Sequence, residues 1–307
     1  MMRAKILALS FALAGLAATA SAASAVDVAV LTPYQSSVAT NQMIKVFEEK
    51  AKAAGWNASV VDTRGDMGQL ASRIEDVTAA KVGAIVLVSV DPKQIQDQVS
   101  AAAAAGIPVV TIDGATAPGV VLNVTSDNFE LGSKLSAFLF EKLGGKGNIA
   151  KFYYSAHPGV HQRELALDAA LAKNPDIKVV AEHYMVVPGP IDDARKVTED
   201  LLKSQGDQID AIWAAWDEPA IGAQLAIEAD KPDSKIIIAG IDGNPQAVEL
   251  IKSCSHIKGT VSQDFDAMAG LAAEGLGKIL AGAKPEKAEL FAPAKLITPE
   301  TLGVTCP

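Results

Sequence analysis

Two aspartates occupy matching positions in the sequence, each after an apolar run and directly before a glycine. Asp113 lies in Val-Val-Thr-Ile-Asp-Gly at 109–114, and Asp242 lies in Ile-Ala-Gly-Ile-Asp-Gly at 238–243. Apolar, β-branched runs are typical of buried strands, so both carboxylates are predicted at the carboxyl ends of strands, the edge where open parallel sheets bind ligands. Since carboxylates accept hydrogen bonds from neighbouring hydroxyl groups, the pair predicts a site for a small polar ligand. The alternative is that Asp-Gly serves only as a turn at each position.

Motifs of several enzyme classes are missing from the sequence. No Gly-x-Gly-x-x-Gly follows the first predicted strand, and there is no P-loop, no Gly-x-Ser-x-Gly and no His-Glu-x-x-His. The four histidines are scattered, so no metal site is expected. The formal net charge of −9 disfavours a nucleic-acid partner. These observations favour a binding protein without a cofactor over an enzyme.

The two aspartates must be positioned by regular elements, and the pattern of those elements is clear. Short apolar runs alternate with Ala-rich helical segments, which is typical of parallel sheets with crossover helices. Strands are predicted at 28–31, 58–61, 84–88, 109–112, 120–123, 149–153, 178–183, 211–213, 236–239 and 259–261. Helices are predicted at 42–54, 67–80, 92–105, 162–172, 191–203, 219–228, 245–251 and 267–281. The sequence therefore predicts the α/β class with two similar lobes.

The amino-terminal residues 1–25 have the pattern of a secretory signal peptide. Arg3 and Lys5 precede an apolar run at 6–18, and small residues lead to Ala-Ser-Ala at 23–25. The alternative is a membrane-spanning helix, but the run is shorter than the roughly 20 residues that a span needs. No cysteine lies in this segment, which favours a free periplasmic protein over a lipid-anchored one. About 280 residues would remain, which is more than one core usually serves and favours two domains.

Cys254 and Cys306 are the only cysteines of the chain. In an exported protein an even pair is typical of a disulfide bond, so we expect these two residues to be bonded. The alternative is a pair of free, buried thiols. Without a nearby cluster of histidines, the two cysteines do not indicate a zinc site.

Several stretches, taken in order, resemble the ribose-type periplasmic binding proteins of ABC transporters. They are Ala-Gly-Ile-Pro-Val-Val-Thr-Ile-Asp-Gly at 105–114, Thr-Ser-Asp-Asn at 125–128, Trp-Asp-Glu-Pro-Ala-Ile-Gly-Ala at 216–223, Gly-Ile-Asp-Gly-Asn-Pro at 240–245 and Gly-Thr-Val-Ser-Gln-Asp at 259–264. The resemblance implies the type I fold, with two Rossmann-like lobes, a three-segment hinge and a cleft that closes on a sugar or polyol. The implied lobes are 26–126 with 264–290, and 127–263 with 291–307.

The same resemblance implies a monomer that delivers its ligand to a transporter permease. Two other proteins could share this architecture. One is a periplasmic sensor that presents a sugar to a chemoreceptor or kinase. The other is the sugar-sensing core of a repressor, which would carry a basic helix-turn-helix at its amino terminus, where this chain has the pattern of a signal peptide.

Carried over position by position, the resemblance also implies a set of ligand contacts. They are Asn41, Asp113, His161, Trp216, Asp242 and Gln263, with Arg163 and Asp217 close by and Tyr34 and Gln35 in the first loop. Gly114 and His161 stand where ribose binders usually have arginine, and Trp216 stands where they have asparagine, which argues against ribose itself. Trp216 could stack on the C–H face of a sugar or lie in the core, whereas Trp213, inside a predicted strand, is expected in the core.

Overall fold

The structure is a computed structural model that describes residues 25–306. The predicted signal peptide therefore lies outside the described residues, apart from Ala25. Within this range, none of the helices combines the length and the apolar character needed to cross a bilayer.

The first lobe is built on a six-stranded sheet in which every neighbouring pair is parallel. Its strands are β1 (Asp27–Thr32), β2 (Asn57–Asp62), β3 (Ala84–Val88), β4 (Val109–Ile112), β5 (Val120–Ser126) and β11 (Glu289–Ala292), in the order β11-β5-β4-β3-β1-β2. Its helices are α1 (Val38–Ala53), α2 (Met67–Ala79), α3 (Gln96–Ala104) and α9 (Phe265–Leu280). Helices cover both faces of the sheet, which is why a central strand such as β3 is apolar and buried along its whole length.

The second lobe repeats this plan around one core. Its strands are β6 (Gly147–Tyr153), β7 (Ile177–Tyr184), β8 (Ala211–Ala214), β9 (Ile237–Asp242), β10 (Ile257–Gln263) and β12 (Ala294–Ile297), in the order β12-β10-β9-β8-β6-β7. Its helices are α4 (Asn128–Lys142), α5 (Pro158–Leu171), α6 (Pro190–Gln205), α7 (Asp217–Asp230) and α8 (Pro245–Lys252). The predicted α/β class with two Rossmann-like lobes is thus confirmed.

The chain passes between the sheets three times: from β5 to α4, from β10 to α9 and from β11 to β12. After each of the first two passages an aspartate caps the next helix: Asp127 accepts from the Glu130 N–H and Asp264 from the Ala267 N–H, both at 2.9 Å. The predicted third boundary, after residue 290, falls inside β11. The ladder with β5 continues to Ala292, so the third passage is at Pro293 instead.

One strand departs from the parallel arrangement of the two sheets, because β12 runs antiparallel to β10. Only Pro293 separates β11 from β12, so the chain leaves the first sheet at its carboxyl edge and enters the second sheet from the facing edge. A strand that enters from that edge must run against its parallel neighbours. The antiparallel direction of β12 therefore indicates that the carboxyl edges of the two sheets face each other across a cleft.

A disulfide bond joins Cys254, just after α8, to Cys306 near the carboxyl terminus, with the two Cα atoms 5.5 Å apart. The bond ties the end of the chain to the second lobe, to which β12 also belongs.

Candidate functional site

A cavity of about 380 Å³ lies between the facing carboxyl edges of the two sheets. It is lined by Tyr34, Ser36, Ser37, Ala39, Ser89 and Asp113 from the first lobe, and by Tyr154, His157, Val160, Arg163, residues 187–192, Trp216, Glu218 and Asp242 from the second. Its volume suits a small molecule, since ligand pockets commonly measure about 300–1,000 Å³.

Three residues that line the cavity directly follow or end a strand and have a positive φ. Ser89 (φ 57°) follows β3, Asp113 (φ 52°) follows β4, and Asp242 (φ 136°) ends β9. This region of backbone space is costly for residues other than glycine, and such strain is concentrated at functional sites. The side chains of these three residues are therefore held at the two sheet edges at an energetic cost, which points to a binding role.

Asp113 is 6% exposed, and its two carboxylate oxygens have different surroundings. Oδ2 lies 3.5 Å from Nε2 of His157, a residue of the opposite lobe, whereas Oδ1 is buried and has no hydrogen-bond partner within residues 25–306. Burial lowers the pKa of His157, although the nearby Asp113 opposes the effect. Nδ1 of His157 accepts the Val160 N–H at 3.4 Å, so in the neutral ring Nε2 carries the proton and faces Asp113. Oδ1 of Asp113 is therefore a buried acceptor, and residues 25–306 supply no donor for it.

Asp242 is also buried, but its carboxylate has partners on its own lobe. Its Oδ1 accepts from Nε2 of Gln263 at 2.8 Å and lies 3.6 Å from an Arg163 guanidinium nitrogen. Burial raises the pKa of Asp242 well above its ordinary value, and the Arg163 charge works in the opposite direction. Oε1 of Gln263 is buried without a hydrogen-bond partner in the described range, so it is a second free acceptor.

Arg163 is 2% exposed and is fixed by neutral partners as well as by Asp242. Its Nε donates to Oδ1 of Asn128 at 2.8 Å, and its Nη1 donates to the Ala215 carbonyl at 2.7 Å. A buried guanidinium needs such partners, because an unpaired charge in the interior is strongly destabilising. The second lobe therefore presents a preorganised set of polar groups.

Aromatic rings form part of the cavity wall. Trp216 is 9% exposed and directly precedes α7, and its indole N–H donates to Oε2 of Glu218 at 3.1 Å. Tyr34 of the first lobe and Tyr154 of the second lobe are joined by a 3.1 Å hydrogen bond between their hydroxyl groups. The predicted contact position of Trp216 is thus on the cavity, with the ring orientation fixed by a hydrogen bond.

The loop before α6 and the first turn of α6 supply a further, largely apolar wall. Its cavity-lining residues are Val187, Pro188, Gly189, Pro190, Ile191 and Asp192. The Val187–Pro188 peptide bond is cis, and Gly189 has a φ of 101°, a left-handed conformation that glycine adopts without cost. No pattern in the sequence indicates this wall, because its place on the cavity depends on the conformation of the loop.

Five of the expected contact residues do not line the cavity, and one of them, Gln263, is bonded to the cavity residue Asp242. Asn41 lies in α1 and Gln35 in the loop before it, and both are half-buried. His161 is exposed in α5, which begins four residues earlier than predicted, and His157 takes the cavity position instead. Asp217 is fully buried behind the wall.

Asp217 has a structural environment of its own. Its Oδ1 accepts from the Thr260 hydroxyl at 2.8 Å, and its Oδ2 accepts from the Asn244 N–H at 2.7 Å. Burial raises the pKa of Asp217 to about 6, against these hydrogen bonds. Through its bond to Asn244, Asp217 holds the turn that follows Asp242, so it helps to position a cavity residue without lining the cavity itself. Trp213 is fully buried and donates to Ser136 Oγ at 3.2 Å, as expected for a core residue.

Besides that wall, the cavity residues that the sequence did not indicate include Ser89, Glu218 and His157. Ser89 follows β3 in the same way that Asp113 follows β4, so the strand-end rule could have found it. Glu218 lies next to Asp217 in a quoted stretch, and His157 is the N-cap of α5. Neither of these two has a sequence signal that separates it from a residue serving only its helix. Within residues 25–306, no cluster of three or more His, Cys, Asp or Glu side chains could hold a metal ion.

Comparison with known proteins places this geometry among related chains. The profile of the family described as "Periplasmic binding protein domain" matches residues 28–284. The ribose import binding protein RbsB of Bacillus subtilis (strain 168) is 33% identical over 258 residues, which cover 83% of this chain and 81% of the relative. A xylitol-binding protein of Mycolicibacterium smegmatis is 31% identical over 221 residues, covering 71% of this chain and 61% of the relative. A crystal structure of an ABC transporter solute binding protein from Agrobacterium vitis with bound allitol superimposes with a TM-score of 0.85 at 26% identity, covering 91% of this chain and 97% of that chain.

Proposed function

We propose, from the premise that this chain belongs to the periplasmic binding protein family, that it binds a neutral sugar or polyol between its lobes and presents it to the permease of an ABC importer. The family match covers nearly all of the described residues and identifies a binding protein rather than an enzyme.

The observation that carries the proposal is the pair of carboxylates, one from each lobe, that line the same cavity. Asp113 and Asp242 both line it, and Asp113 Oδ1 is an acceptor without a partner in the described residues. Hydroxyl groups of a polyol are donors that fit such acceptors. Each hydrogen bond to a charged group contributes about 1.5–3 kcal/mol, so a few of them suffice for micromolar binding, which corresponds to about 8 kcal/mol.

The charge of the cavity favours a neutral ligand over an acidic one. Four carboxyl groups line it, on Asp113, Asp192, Glu218 and Asp242, against one guanidinium, on Arg163. That guanidinium already has partners on its own lobe. A sugar acid or sugar phosphate would therefore meet more repulsion than attraction. The C–H faces of a neutral sugar also suit the aromatic and apolar walls.

Relatives bind several members of this class. Besides the ribose, xylitol and allitol proteins, solved structures include a solute binding protein from Actinobacillus succinogenes with bound D-allose, at 26% identity and a TM-score of 0.78, and one from Bacillus halodurans with bound myo-inositol, at 25% identity and a TM-score of 0.83. The loop at 187–192 and Trp216 shape the cavity, and they would select among pentoses, hexoses and polyols. Relatives named as import binding proteins for ribose and D-apiose favour import over the alternative of a sensor for a chemoreceptor or kinase.

The test is a thermal-shift screen of the purified chain against D-ribose, D-allose, xylitol, allitol and myo-inositol, followed by calorimetry. A ligand at a hundred times its Kd stabilises the folded state by about 2.7 kcal/mol, which gives a clear rise in Tm. We expect at least one neutral member to bind, with a stoichiometry of one per chain, and glucuronate and ribose 5-phosphate to give no shift. Binding of the acidic compounds in preference to the neutral ones would contradict the proposed ligand class.

The remaining parts of the proposal concern location and assembly. The signal-peptide pattern of residues 1–25 and the periplasmic family support export to the periplasm. We further expect a monomer that does not bind nucleic acid, in line with the formal net charge of −9.

A further inference from the structure

Helix α1 of the first lobe begins at the cleft without a cap of its own. Its N-cap residue, Ser37, makes no side-chain hydrogen bond to the helix, and its first turn contains no acidic residue. By contrast, α2, α4 and α9 each begin with an aspartate whose side chain accepts a backbone N–H of its own helix. A helix start leaves free N–H donors and a partial positive charge, so α1 has an unmet demand for an acceptor.

The second lobe meets this demand with Glu218. Oε1 of Glu218 accepts the Val38 N–H, at the first position of α1, at 3.2 Å. The nearby side chain of Ser37 lowers the pKa of this carboxyl, whereas burial raises it. The other oxygen, Oε2, accepts the indole N–H of Trp216 at 3.1 Å. Glu218 is 7% exposed, so its carboxylate is largely shielded from water, whereas Val38 at the other end of the bond is 43% exposed.

We propose that Glu218 is a positioning residue that caps helix α1 from the opposite lobe, and that this cap couples closure of the cleft to the placement of Trp216 in the cavity. When the lobes separate, α1 loses its cap and Glu218 keeps only the Trp216 partner. Closure therefore restores a charge-assisted cap on α1. The two carboxylate oxygens of Glu218 are then bonded at the same time, one to α1 and the other to Trp216. The inference rests on lobe closure, as in the proposed function, but it does not depend on the identity of the ligand.

Besides the 3.5 Å contact between Asp113 and His157, two further hydrogen bonds cross the cleft, and both differ from the Glu218 bridge. Tyr34 and Tyr154 share a hydrogen bond between hydroxyl groups, and Nε2 of Gln94 donates to the Ala156 carbonyl at 2.9 Å. Both are bonds between neutral groups, which are weaker than bonds to a carboxylate. Neither connects a helix end of one lobe to a cavity ring of the other, as the Glu218 bridge does.

The decisive variants remove the bridge from either side. Glu218→Gln removes the charge from one lobe. Val38→Pro removes only the accepted N–H from the other, because proline is well tolerated at the first helical position. Ser37 has φ −68° and ψ 137°, a conformation suited to the residue before a proline. Ser37→Ala is a second variant on the first-lobe side, and Glu228→Gln, an exposed change near the far end of α7, is the matched control.

Two measurements are made on the full mature chain: the radius of gyration by small-angle X-ray scattering with no ligand added, and the Kd of the tightest sugar or polyol from the screen. We expect Glu218→Gln and Val38→Pro each to increase the radius of gyration, to weaken binding about tenfold, or both, as expected for loss of a charge-assisted bond. The double variant should be no worse than either single one, because both changes remove one interaction. Glu228→Gln should match the wild type.

The first-lobe variants decide between outcomes. If Val38→Pro and Ser37→Ala both behave as the wild type while Glu218→Gln weakens binding, Glu218 acts on the ligand alone and the proposal is overturned. Unchanged scattering and affinity in every variant overturn it as well. If no compound of the screen binds but the scattering still responds to Glu218→Gln and Val38→Pro, the cap stands and the proposed ligand class fails.

Discussion

The two lobes present the same type of residue to the cavity but hold it in different ways. In the second lobe Asp242 is bonded to Gln263 and lies close to Arg163, which is itself bonded to Asn128 and Ala215. In the first lobe, and within residues 25–306, the carboxylate of Asp113 has only a 3.5 Å contact to His157, which belongs to the other lobe. The second lobe also supplies most of the cavity lining. The second lobe is thus a preorganised site, and the first lobe completes it on closure.

This difference suggests a sequence of events. A ligand would contact the ordered second lobe first, and the first lobe would then close to satisfy the free Asp113 acceptor. The ligand shifts the equilibrium because only the closed form allows both edges to bond to it. Substitutions in the second lobe should therefore affect stability and binding together, whereas those at Asp113 should affect binding alone.

The largest effect is expected for Arg163→Met. Removing one partner of a buried charge network costs about 3–5 kcal/mol, so both the free energy of unfolding and the affinity should fall sharply. Urea unfolding with calorimetry measures both. A variant with normal stability would show that the second-lobe network does not support the fold.

Asp113→Asn should separate binding from folding. The change removes a charged acceptor that bonds to ligand hydroxyls, so Kd should rise more than tenfold, in line with about 1.5–3 kcal/mol per charged hydrogen bond. Because Oδ1 has no partner in the described residues, the Tm without added ligand should stay the same or rise. A large loss of Tm would contradict the difference between the lobes.

Asp242→Ala should weaken binding at least tenfold, for the same loss of a charged contact. Unlike Asp113→Asn, it should also lower the Tm, since Arg163 and Gln263 lose a partner. Calorimetry and a thermal melt on the same sample give both values. Unchanged affinity would remove Asp242 from the site.

A smaller effect is expected for Trp216→Phe, which keeps an aromatic ring but removes the indole N–H that bonds to Glu218. Because the carboxylate of Glu218 loses a neutral hydrogen-bond donor, we expect Kd to increase about threefold to tenfold and the Tm to stay close to that of the wild type. Trp216→Ala should be worse than Trp216→Phe if the ring itself packs on the ligand. Equal values for the two variants would argue against ring stacking.

The smallest expected effect is a pH dependence at Asp217. Burial raises the pKa of Asp217 in the folded state to about 6. Its contribution to stability is therefore complete when the pH is below its pKa in the unfolded state, and it is lost as the pH rises through about 6. Asp217→Asn cannot titrate, so the wild-type advantage in Tm over this variant should be larger at about pH 4.5 than at about pH 7.5. The exposed Asp207→Asn serves as the control, and a constant advantage across this range would contradict the assignment.

Much of the fold follows from patterns in the sequence. All of the predicted strands are present, because apolar runs between turn residues identify strands buried on both faces. The strands β11 and β12 and the helix α4 were not predicted. The two strands are only four residues long, and their pairing depends on distant parts of the chain. Periodicity within a short segment cannot report such pairing.

The site was predictable only in part, for a similar reason. Asp113 and Asp242 follow from a local rule, since each ends a recognisable strand. The cavity position of His157 depends on where α5 begins, and the pattern in the sequence predicts that start four residues too late. The wall at 187–192 and the cap from Glu218 depend on loop conformation and on the approach of the two lobes, which leave no periodic signal in the sequence.

A crystal structure of the chain with the tightest neutral ligand of the screen tests the central claim most directly. The account predicts one ligand in the cavity, with hydroxyl oxygens within about 3 Å of both Asp113 and Asp242. A ligand bound outside the cleft, or one that contacts neither carboxylate, would contradict it.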